Sequence, residues 1–316
     1  MQVIIKHAGH DATQAYSEVH PVSLLTRTLP ASKLIGSLDL STIDSSWSKP
    51  PPAESPQVQL SKSKPPLHTL LSSHDFESVA QKTLSPKTWA FYSSAATDLI
   101  TAKANKSFYD RIWFRPRVLK DVAKVDTQCR IQGVKSRLPV IVAPAAMAGM
   151  VDKDGEKSIA RGCEEKGIVQ CVSNNASFPI EEIVGAVKPG YPFFFQLYVN
   201  RDRRKSELLL SQVWDLGIRT VFMTVDAPVS GKREADERVK SDENLSTPMS
   251  SMKAANDKKG GGLGRIMGSY IDSSLNWEDL KWLRKVWGGK IVIKGVQTAA
   301  DAKRAVEERL DGIMIR

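Results

Sequence analysis

Residues 168–226 read IVQCVSNNASFPIEEIVGAVKPGYPFFFQLYVNRDRRKSELLLSQVWDLGIRTVFMTVD. Three short apolar runs in this stretch are rich in β-branched and aromatic residues, which is typical of buried parallel strands. The runs span 168–173, 193–199 and 219–225. Amphipathic patterns of helical period separate them, so the stretch predicts repeated strand–helix units.

The same alternation continues outward on both sides of this stretch. Further strands are predicted at 139–143, 290–294 and 311–315. The helices are predicted at 155–166, 179–187, 202–216, 276–287 and 298–309. Strand starts lie mostly 21–29 residues apart, which is the period of βα units. The interval between the fourth and fifth strands is much longer, and a loop of that length in a compact domain is either functional or mobile.

Six βα-type strands suit either a doubly wound sheet or a (β/α)8 TIM barrel. The turn after the first strand, APAAMAGMVDKDG, lacks the GxGxxG pattern of a doubly wound nucleotide fold. The barrel is therefore favoured. Since six strands do not close an eight-stranded barrel, the sequence predicts an α/β fold with an incomplete barrel.

The chain upstream of the barrel is organised differently. Residues 75–103 predict two helices, with Ser85 as the N-cap and Pro86 as the first residue of the second. Residues 45–66 hold six prolines and six serines and predict an extended linker. The linker separates residues 1–44, too short for a self-sufficient domain, from a domain at 67–316.

Composition excludes several classes of protein. With 41% hydrophobic and 25% charged residues, the 316-residue chain can bury a core. No apolar run reaches the ~18–20 residues of a membrane span, and residues 1–14 lack the pattern of a signal peptide. Three cysteines in no metal-binding spacing predict buried or half-buried free thiols: Cys129, Cys163 and Cys171.

Charge and histidine are distributed unevenly. The net charge is +10, and residues 101–137 hold ten Lys or Arg against three acids. This stretch suits either a nucleic-acid footprint or a solvated basic face, and the second is favoured because no nucleic-acid motif accompanies it. All five histidines lie at or before position 74, so the barrel region offers no imidazole.

Polar side chains follow several predicted strands at their carboxyl ends, where a barrel places its chemistry. They are Ser173, Gln196, Thr224 and Asp226, and the buried run 290–294 ends in Lys294. Polar groups on successive strand ends around one lysine suit a flat polar cofactor ring.

Seven motifs occur in the order found in one enzyme family. They are FYSSAA, RPRVL, VIVAPAAM, ARGCEEKG, FFFQLYVNRDR, TVDAPVSGKREAD and IVIKGVQTAADA, and the resemblance they carry covers roughly residues 67–316. Together they resemble the FMN-dependent 2-hydroxy acid dehydrogenase family. Near the N-terminus, AGHDATQAYSEVHP resembles the second half of a cytochrome b5-like haem domain, which the flavocytochrome subgroup joins to the flavin barrel.

The resemblance implies a role for particular residues. The FMN-binding residues would be Pro144, Ala145, Ala146, Ser173, Gln196, Thr224 and Lys294. Asp226 and Lys294 would be catalytic, the lysine as a cation beside the reduced ring and the aspartate as the partner of an imidazolium base. Tyr198, Arg233 and Phe91 would face the substrate. At position 91 the family usually has a tyrosine instead of phenylalanine. His20 would be an axial ligand of haem b in the remnant at 1–44.

The resemblance also implies an activity and its partners. The complete enzyme would oxidise a small L-2-hydroxy acid, foremost L-lactate to pyruvate, and pass electrons through haem to a cytochrome acceptor. We expect a homo-oligomer without nucleic-acid partner or membrane span, in the mitochondrial intermembrane space or the cytoplasm.

Three features of the family pattern are missing from the sequence. The base histidine of an SNHGGR-like motif, the FMN phosphate segments and the HPGG-type haem segment do not occur in it. We therefore expect a fragment truncated at both ends and inactive on its own. A non-catalytic interaction module and a basic nucleic-acid-binding protein are the alternatives from other classes.

Overall fold

The computed structural model describes residues 30–33, 36, 39–42, 64–242 and 244–315, and the single positions 13 and 28. The chain divides into two compact units, Met1–Thr83 and Leu84–Arg316. Described parts of the first unit include three 3₁₀ turns and helix α1, at Ala31–Lys33, Leu40–Thr42, Leu67–Thr69 and Ser73–Thr83. His20, most of the expected haem-domain remnant and nearly all of the linker lie outside the described residues.

The second unit opens with helices α2 (Pro86–Ser93) and α3 (Ile100–Ser107). Ser85 is the N-cap of α2, because its hydroxyl accepts a hydrogen bond from the Thr88 amide at 3.2 Å. That prediction is confirmed. The prediction of two helices over 75–103 was incomplete, since α3 is a third; it starts after Leu99, a left-handed residue without a capping side chain.

The strands and the remaining helices follow in chain order. The strands are β1 (Cys129–Ile131), β2 (Val134–Ser136), β3 (Ile141–Val142), β4 (Val169–Ser173), β5 (Phe193–Leu197), β6 (Thr220–Thr224), β7 (Ser246–Thr247), β8 (Met252–Lys253), β9 (Lys290–Val296) and β10 (Gly312–Ile315). The helices are α4 (Gly155–Lys166), α5 (Ile180–Val184), α6 (Arg203–Asp215), α7 (Glu234–Arg238), α8 (Leu263–Met267), α9 (Asp279–Val286) and α10 (Ala299–Glu307).

Six strands of the second unit form one parallel sheet in the order β3-β4-β5-β6-β9-β10. Each strand pairs with the one before it in the βα series, and the order never reverses as it does in a doubly wound sheet. This is the wall of a (β/α)8 TIM barrel, with six strands in the part of the chain described. The predicted strand and helix positions are confirmed to within a few residues.

The two faces of the sheet bury different sets of side chains, as the two-residue period of a strand requires. One face packs against the helices and includes Phe195, Leu197 and Val221. The other includes Cys171, Phe194 and Phe222, with residues of the β1–β2 hairpin packed against them. The second face corresponds to the inside of the barrel.

The long interval between β6 and β9 is folded along much of its length. It contains helices α7 and α8 and the β7–β8 hairpin. Arg265 ties it together by donating to Glu237 at 2.7 Å and to Asp257 at 2.8 Å. The sequence offered little sign of this because the elements are two to five residues long.

Candidate active site

Four polar side chains lie on four successive strands of the sheet, at the carboxyl end of its inner face. Ser173, Gln196, Thr224 and Lys294 come from β4, β5, β6 and β9 and are all buried. Each stands two residues after an inner-face residue of its own strand, namely Cys171, Phe194, Phe222 and Val292. The alternation of the strands therefore brings together the four residues that the sequence analysis singled out.

The amide of Gln196 has a fixed orientation. Its Oε1 accepts hydrogen bonds from the Ser173 hydroxyl at 3.2 Å and from the Asn174 backbone amide at 3.3 Å. Because both donors engage the oxygen, the NH₂ group is left to donate elsewhere. The Nε2 atom is buried and has no hydrogen-bond partner among the described residues. A buried donor of this kind calls for an acceptor on a bound ligand or an ordered water.

Thr224 and Lys294 add a second donor and a cation. They are register partners on the adjacent strands β6 and β9. The Thr224 hydroxyl is buried without a partner in the described part of the protein. The Lys294 ammonium lies 3.7 Å from a carboxylate oxygen of Asp226, two residues beyond β6. The structure thus brings these three residues together, whereas their catalytic and binding roles stay predictions.

These groups match the chemistry of a flavin ring. The pyrimidine part of the isoalloxazine carries two carbonyl oxygens and ring nitrogens, which accept hydrogen bonds from amide and hydroxyl donors. Reduction adds negative charge to that part of the ring, and a preorganised ammonium stabilises it. Gln196 and Thr224 therefore fit FMN through buried donors that have no partner among the described residues, and Lys294 fits it through its positive charge.

The segment predicted to line the flavin edge, Pro144–Ala145–Ala146, directly follows β3. Its last carbonyl accepts a 2.6 Å hydrogen bond from the Tyr92 hydroxyl. The next residue, Met147, has a left-handed backbone with φ of 59° and donates its amide to Asn175 at 3.0 Å. The segment is thus tied to α2 on one side and to the loop after β4 on the other.

A buried acid holds the same two loops at their far ends. Glu156, near the start of α4, accepts hydrogen bonds from the amides of Ala148 at 2.8 Å and Ser177 at 3.1 Å. This carboxylate replaces solvent for two amides that would otherwise be buried without a partner. The sequence analysis missed this role, because the acidic first turn of a helix is an ordinary feature.

The residues predicted to face the substrate come from three separate elements. Arg233 is the N-cap residue of α7 and donates to the carbonyl of Phe91 at 3.4 Å, with its guanidinium carbon 5.9 Å from the centre of the Phe91 ring. Phe91 is buried and packs with Met147, Leu263 and Met267. Tyr198 lies just beyond β5, two residues after Gln196, and is half-buried. The structure joins Phe91 to Arg233, and the substrate contacts of all three stay predictions.

A polar cluster beside Tyr198 was not foreseen from the sequence. The Tyr270 hydroxyl donates to Asn175 at 3.0 Å and accepts from Asn174 at 2.7 Å. Burial, and to a lesser degree the neighbouring Tyr198, raises the pKa of Tyr270. The two consecutive asparagines after β4 were a visible signal, but their partner Tyr270 lies 96 and 95 residues away in the sequence. No group of metal-ligating side chains was found in the described ranges, and none of their helices is long and apolar enough to span a membrane.

Comparison with known proteins shows the family of this chain. The family model described as FMN-dependent dehydrogenase matches residues 80–315. L-lactate dehydrogenase (cytochrome) of Wickerhamomyces anomalus is 33% identical over 99% of this chain and 54% of its own length. Glycolate oxidase 1 of Oryza sativa subsp. indica is 36% identical over 76% of this chain and 66% of its own length.

A solved structure extends the likeness to three dimensions. A double mutant of flavocytochrome b2 with pyruvate bound superposes with a TM-score of 0.69 at 35% identity, over 81% of this chain and 60% of the other. The chain spans about half the length of the L-lactate dehydrogenases (cytochrome) that it matches. Because the family model matches residues 80–315 and the fold superposes on that of flavocytochrome b2, the chain belongs to the FMN-dependent dehydrogenase family.

Proposed function

We propose that residues 84–315 form the flavin-ring site and part of the substrate site of an FMN-dependent L-2-hydroxy acid dehydrogenase, with L-lactate as the foremost substrate. The observation that carries this proposal is the pair of buried donors without a described partner, Gln196 Nε2 and Thr224 Oγ1, on the same edge of the sheet as Lys294. Burying a donor without a partner lowers the stability of the fold by about 1–3 kcal/mol, so packing of the core does not explain these two groups.

The relatives support the substrate class. Lactate and glycolate, named in the relatives' descriptions, are both 2-hydroxy carboxylates. Their shared part is a carboxylate next to a carbinol, and the side chain on the carbinol carbon differs. Recognition of the shared part needs a cation for the carboxylate, and we assign this role to Arg233.

The chain's own residues have distinct tasks in this scheme. When bound, FMN supplies the two-electron oxidant. Arg233 and Tyr198 bind and orient the carboxylate of the substrate, and the ring of Phe91 forms one apolar side of the substrate site. Lys294 stabilises negative charge at the strand ends, while Asp226 holds the lysine and is the residue that would face a protonated base.

A second candidate function is flavin binding without turnover. The observation that favours it is that residues 75–316 contain no histidine. Oxidation of a carbinol needs an acceptor for the hydroxyl proton, and the carboxylate at this edge, Asp226, is engaged by Lys294 at 3.7 Å. On this second candidate function, the 316-residue chain binds FMN, and a hydroxy acid does not reduce the bound flavin.

The other partners remain part of the proposal. Haem b with His20 as a ligand, a cytochrome as electron acceptor, a homo-oligomer and a mitochondrial or cytoplasmic location rest on the resemblance to flavocytochromes. A haem absorbance spectrum of the purified chain tests the first of these, since a bound haem is visible independently of the flavin.

The experiment that tests the function is an FMN titration of the purified 316-residue chain, followed by anaerobic addition of L-lactate, D-lactate or glycolate. Quenching of flavin fluorescence reports binding, and bleaching of the flavin absorbance reports reduction. Binding with bleaching by L-lactate supports the dehydrogenase, and binding without bleaching supports the second candidate. Absence of binding contradicts both.

Matched variants tie the result to the site. Lys294→Met should weaken FMN binding by about tenfold or more, because it removes a charged hydrogen-bonding partner. Lys281→Met removes a lysine paired with Glu278 on the exposed surface of α9 and should leave the affinity for FMN unchanged. Equal affinities for the two variants would contradict the placement of the ring beside Lys294.

A further inference from the structure

A buried ion pair lies away from the strand ends, between the first helix of the second unit and the long β6–β9 interval. The Lys87 ammonium is within 3.1 Å of four oxygens, a carboxylate oxygen and a backbone carbonyl of Asp236 and the carbonyls of Val239 and Gly261. The carboxylate contact is 2.6 Å. Lys87 is 8% exposed and Asp236 is completely buried. Neither residue belongs to the candidate active site.

The pair is fully satisfied on the carboxylate side as well. The second carboxylate oxygen of Asp236 accepts a hydrogen bond from the Gly264 amide at 2.9 Å. One lysine therefore holds α7, the segment after it and the start of α8 in a single arrangement. Removing two charges from water costs about as much free energy as their attraction returns. The pair therefore adds little net stability, and its effect is to fix the geometry of the segments that it joins.

The spacing connects this pair to the candidate substrate site. Phe91 follows Lys87 by four residues on α2, so the two side chains lie on the same face of the helix. Arg233 precedes Asp236 by three residues at the start of α7. The Lys87–Asp236 contact and the Arg233–Phe91 contact are therefore two successive links between the same two helices. A third link, from the Thr97 amide to the Lys232 carbonyl at 3.1 Å, lies next to Arg233.

We propose that Lys87 and Asp236 are positioning residues that hold the Arg233 guanidinium against Phe91, where it receives the carboxylate of the substrate. This inference rests on the proposed function for the identity of the ligand, but the placement of Arg233 itself does not depend on it. The pair acts at a distance from the ligand by setting the height and rotation of α7 on α2.

The variant that tests the proposal must remove the pair without stranding a charge. Removing Lys87 alone leaves a buried carboxylate unpaired and endangers folding. Lys87→Met/Asp236→Leu replaces both with apolar side chains of similar length, a change that folded proteins commonly tolerate. Lys87→Arg keeps the cation and serves as the conservative variant. If the double variant does not fold, the fallback is Asp236→Asn, which removes the carboxylate charge while three backbone carbonyls still accept hydrogen bonds from the Lys87 ammonium.

The first measurement follows Arg233 directly and needs no flavin. Phenylglyoxal modifies arginines at a rate that reflects their exposure, and mass spectrometry resolves the Arg233 peptide. We expect the double variant to raise the rate at Arg233 by about fivefold, while Arg161, exposed on α4, reacts at the wild-type rate. An unchanged rate at Arg233 in a folded double variant, or in a folded Asp236→Asn variant, would overturn the proposal.

The second measurement follows the ligand. Pyruvate is titrated into the FMN-loaded chain and detected through the flavin absorbance, with the dissociation constant of FMN measured beside it. We expect the double variant to weaken pyruvate binding about tenfold with FMN affinity unchanged, and Lys87→Arg to restore most of the loss. A merely structural role would weaken both ligands together, and that result would count against the proposal.

Failure of the proposed function gives a different pattern. A wild-type chain that does not bind FMN would contradict the proposed function. The labelling rate of Arg233 would still test whether Lys87 and Asp236 position it, because that measurement needs no flavin. Lys281→Met, which removes an exposed lysine from its pair with Glu278, is the matched control for a lost ion pair in both measurements. It should match the wild type in each.

Discussion

A Cβ atom added to Gly295 would lie 2.6 Å from the Cβ of Asp226 and 2.9 Å from its backbone nitrogen. Gly295 has a φ of 112°, in a region that residues with a side chain rarely adopt. It follows Lys294 directly, so the close approach of β9 to the turn after β6 brings the ammonium and the carboxylate within 3.7 Å. The absence of a side chain at position 295 is therefore what makes this ion pair possible.

We expect Gly295→Ala to destabilise the protein by about 2–4 kcal/mol, because the backbone strain and the clash with Asp226 add together. FMN affinity should fall as Lys294 and Asp226 separate. Denaturant unfolding and an FMN titration check the two effects. Gly190→Ala is the matched control, since Gly190 also has a positive φ, of 83°, with nothing near its Cβ position. A loss no larger than that of the control would show that the close approach is unimportant.

Thr224→Val should have opposite effects on the flavin-free and the flavin-loaded protein. The Thr224 hydroxyl is buried without a partner in the described protein, so its removal should leave the free energy of unfolding of the apoprotein equal or raised. FMN binding should weaken about 5–50-fold if this hydroxyl donates to the ring. Thermal unfolding with and without FMN separates the two effects.

The control for that change is a hydroxyl that already has a protein partner. Thr247 is buried and lies 2.5 Å from the Ser250 hydroxyl. Thr247→Val should lower the stability of the apoprotein by about 1 kcal/mol and leave the affinity for FMN unchanged. Parallel behaviour of the two variants would contradict a flavin contact at Thr224.

Periodicity was enough to predict the barrel wall. Runs such as 193–199 are apolar on both faces, because helices cover one side of the sheet and the barrel interior the other. The site residues Ser173, Gln196 and Thr224 could be foreseen for the same reason: polar groups ending apolar strands stand out. Their alignment then follows from strand alternation alone.

Contacts between distant segments could not be predicted in this way. Lys87 and Asp236 are 149 positions apart, and each reads as an ordinary charged residue of a helix. The β1–β2 hairpin was missed because its strands have three residues each and its turn, Gln132–Gly133, uses positive φ without the usual Asn-Gly signal. Helix α3 was missed because no side chain caps its start.

Thiol reactivity should separate the three cysteines. Burial raises the pKa of Cys163 to about 11 and also raises the pKa of Cys171, whereas Cys129 is half-buried. At about pH 8 a thiol of that pKa is ionised in roughly one molecule per thousand, so Cys163 should react slowly. We expect one fast thiol with a disulfide reagent and two more on unfolding. Cys129→Ser should abolish the fast phase, and a fast phase that persists would contradict the assignment.

Acid should loosen the β6–β9 interval through Glu237. Hydrogen bonds from Arg265, above all, hold the pKa of this carboxyl below its usual value of 4.5. A carboxyl whose pKa is lower in the folded state stabilises the fold above its unfolded pKa, and this stability is lost as the pH falls through the folded pKa. Glu237→Gln should therefore lower the free energy of unfolding by about 1–2 kcal/mol near neutral pH. The difference from the wild type should shrink below about pH 4.5.

Denaturant unfolding at several pH values measures this difference. Glu182→Gln, which weakens an exposed pair with Lys157, is the control and should follow the wild type throughout. A difference for Glu237→Gln that does not depend on pH would mean that packing, rather than the charge, holds the interval in place.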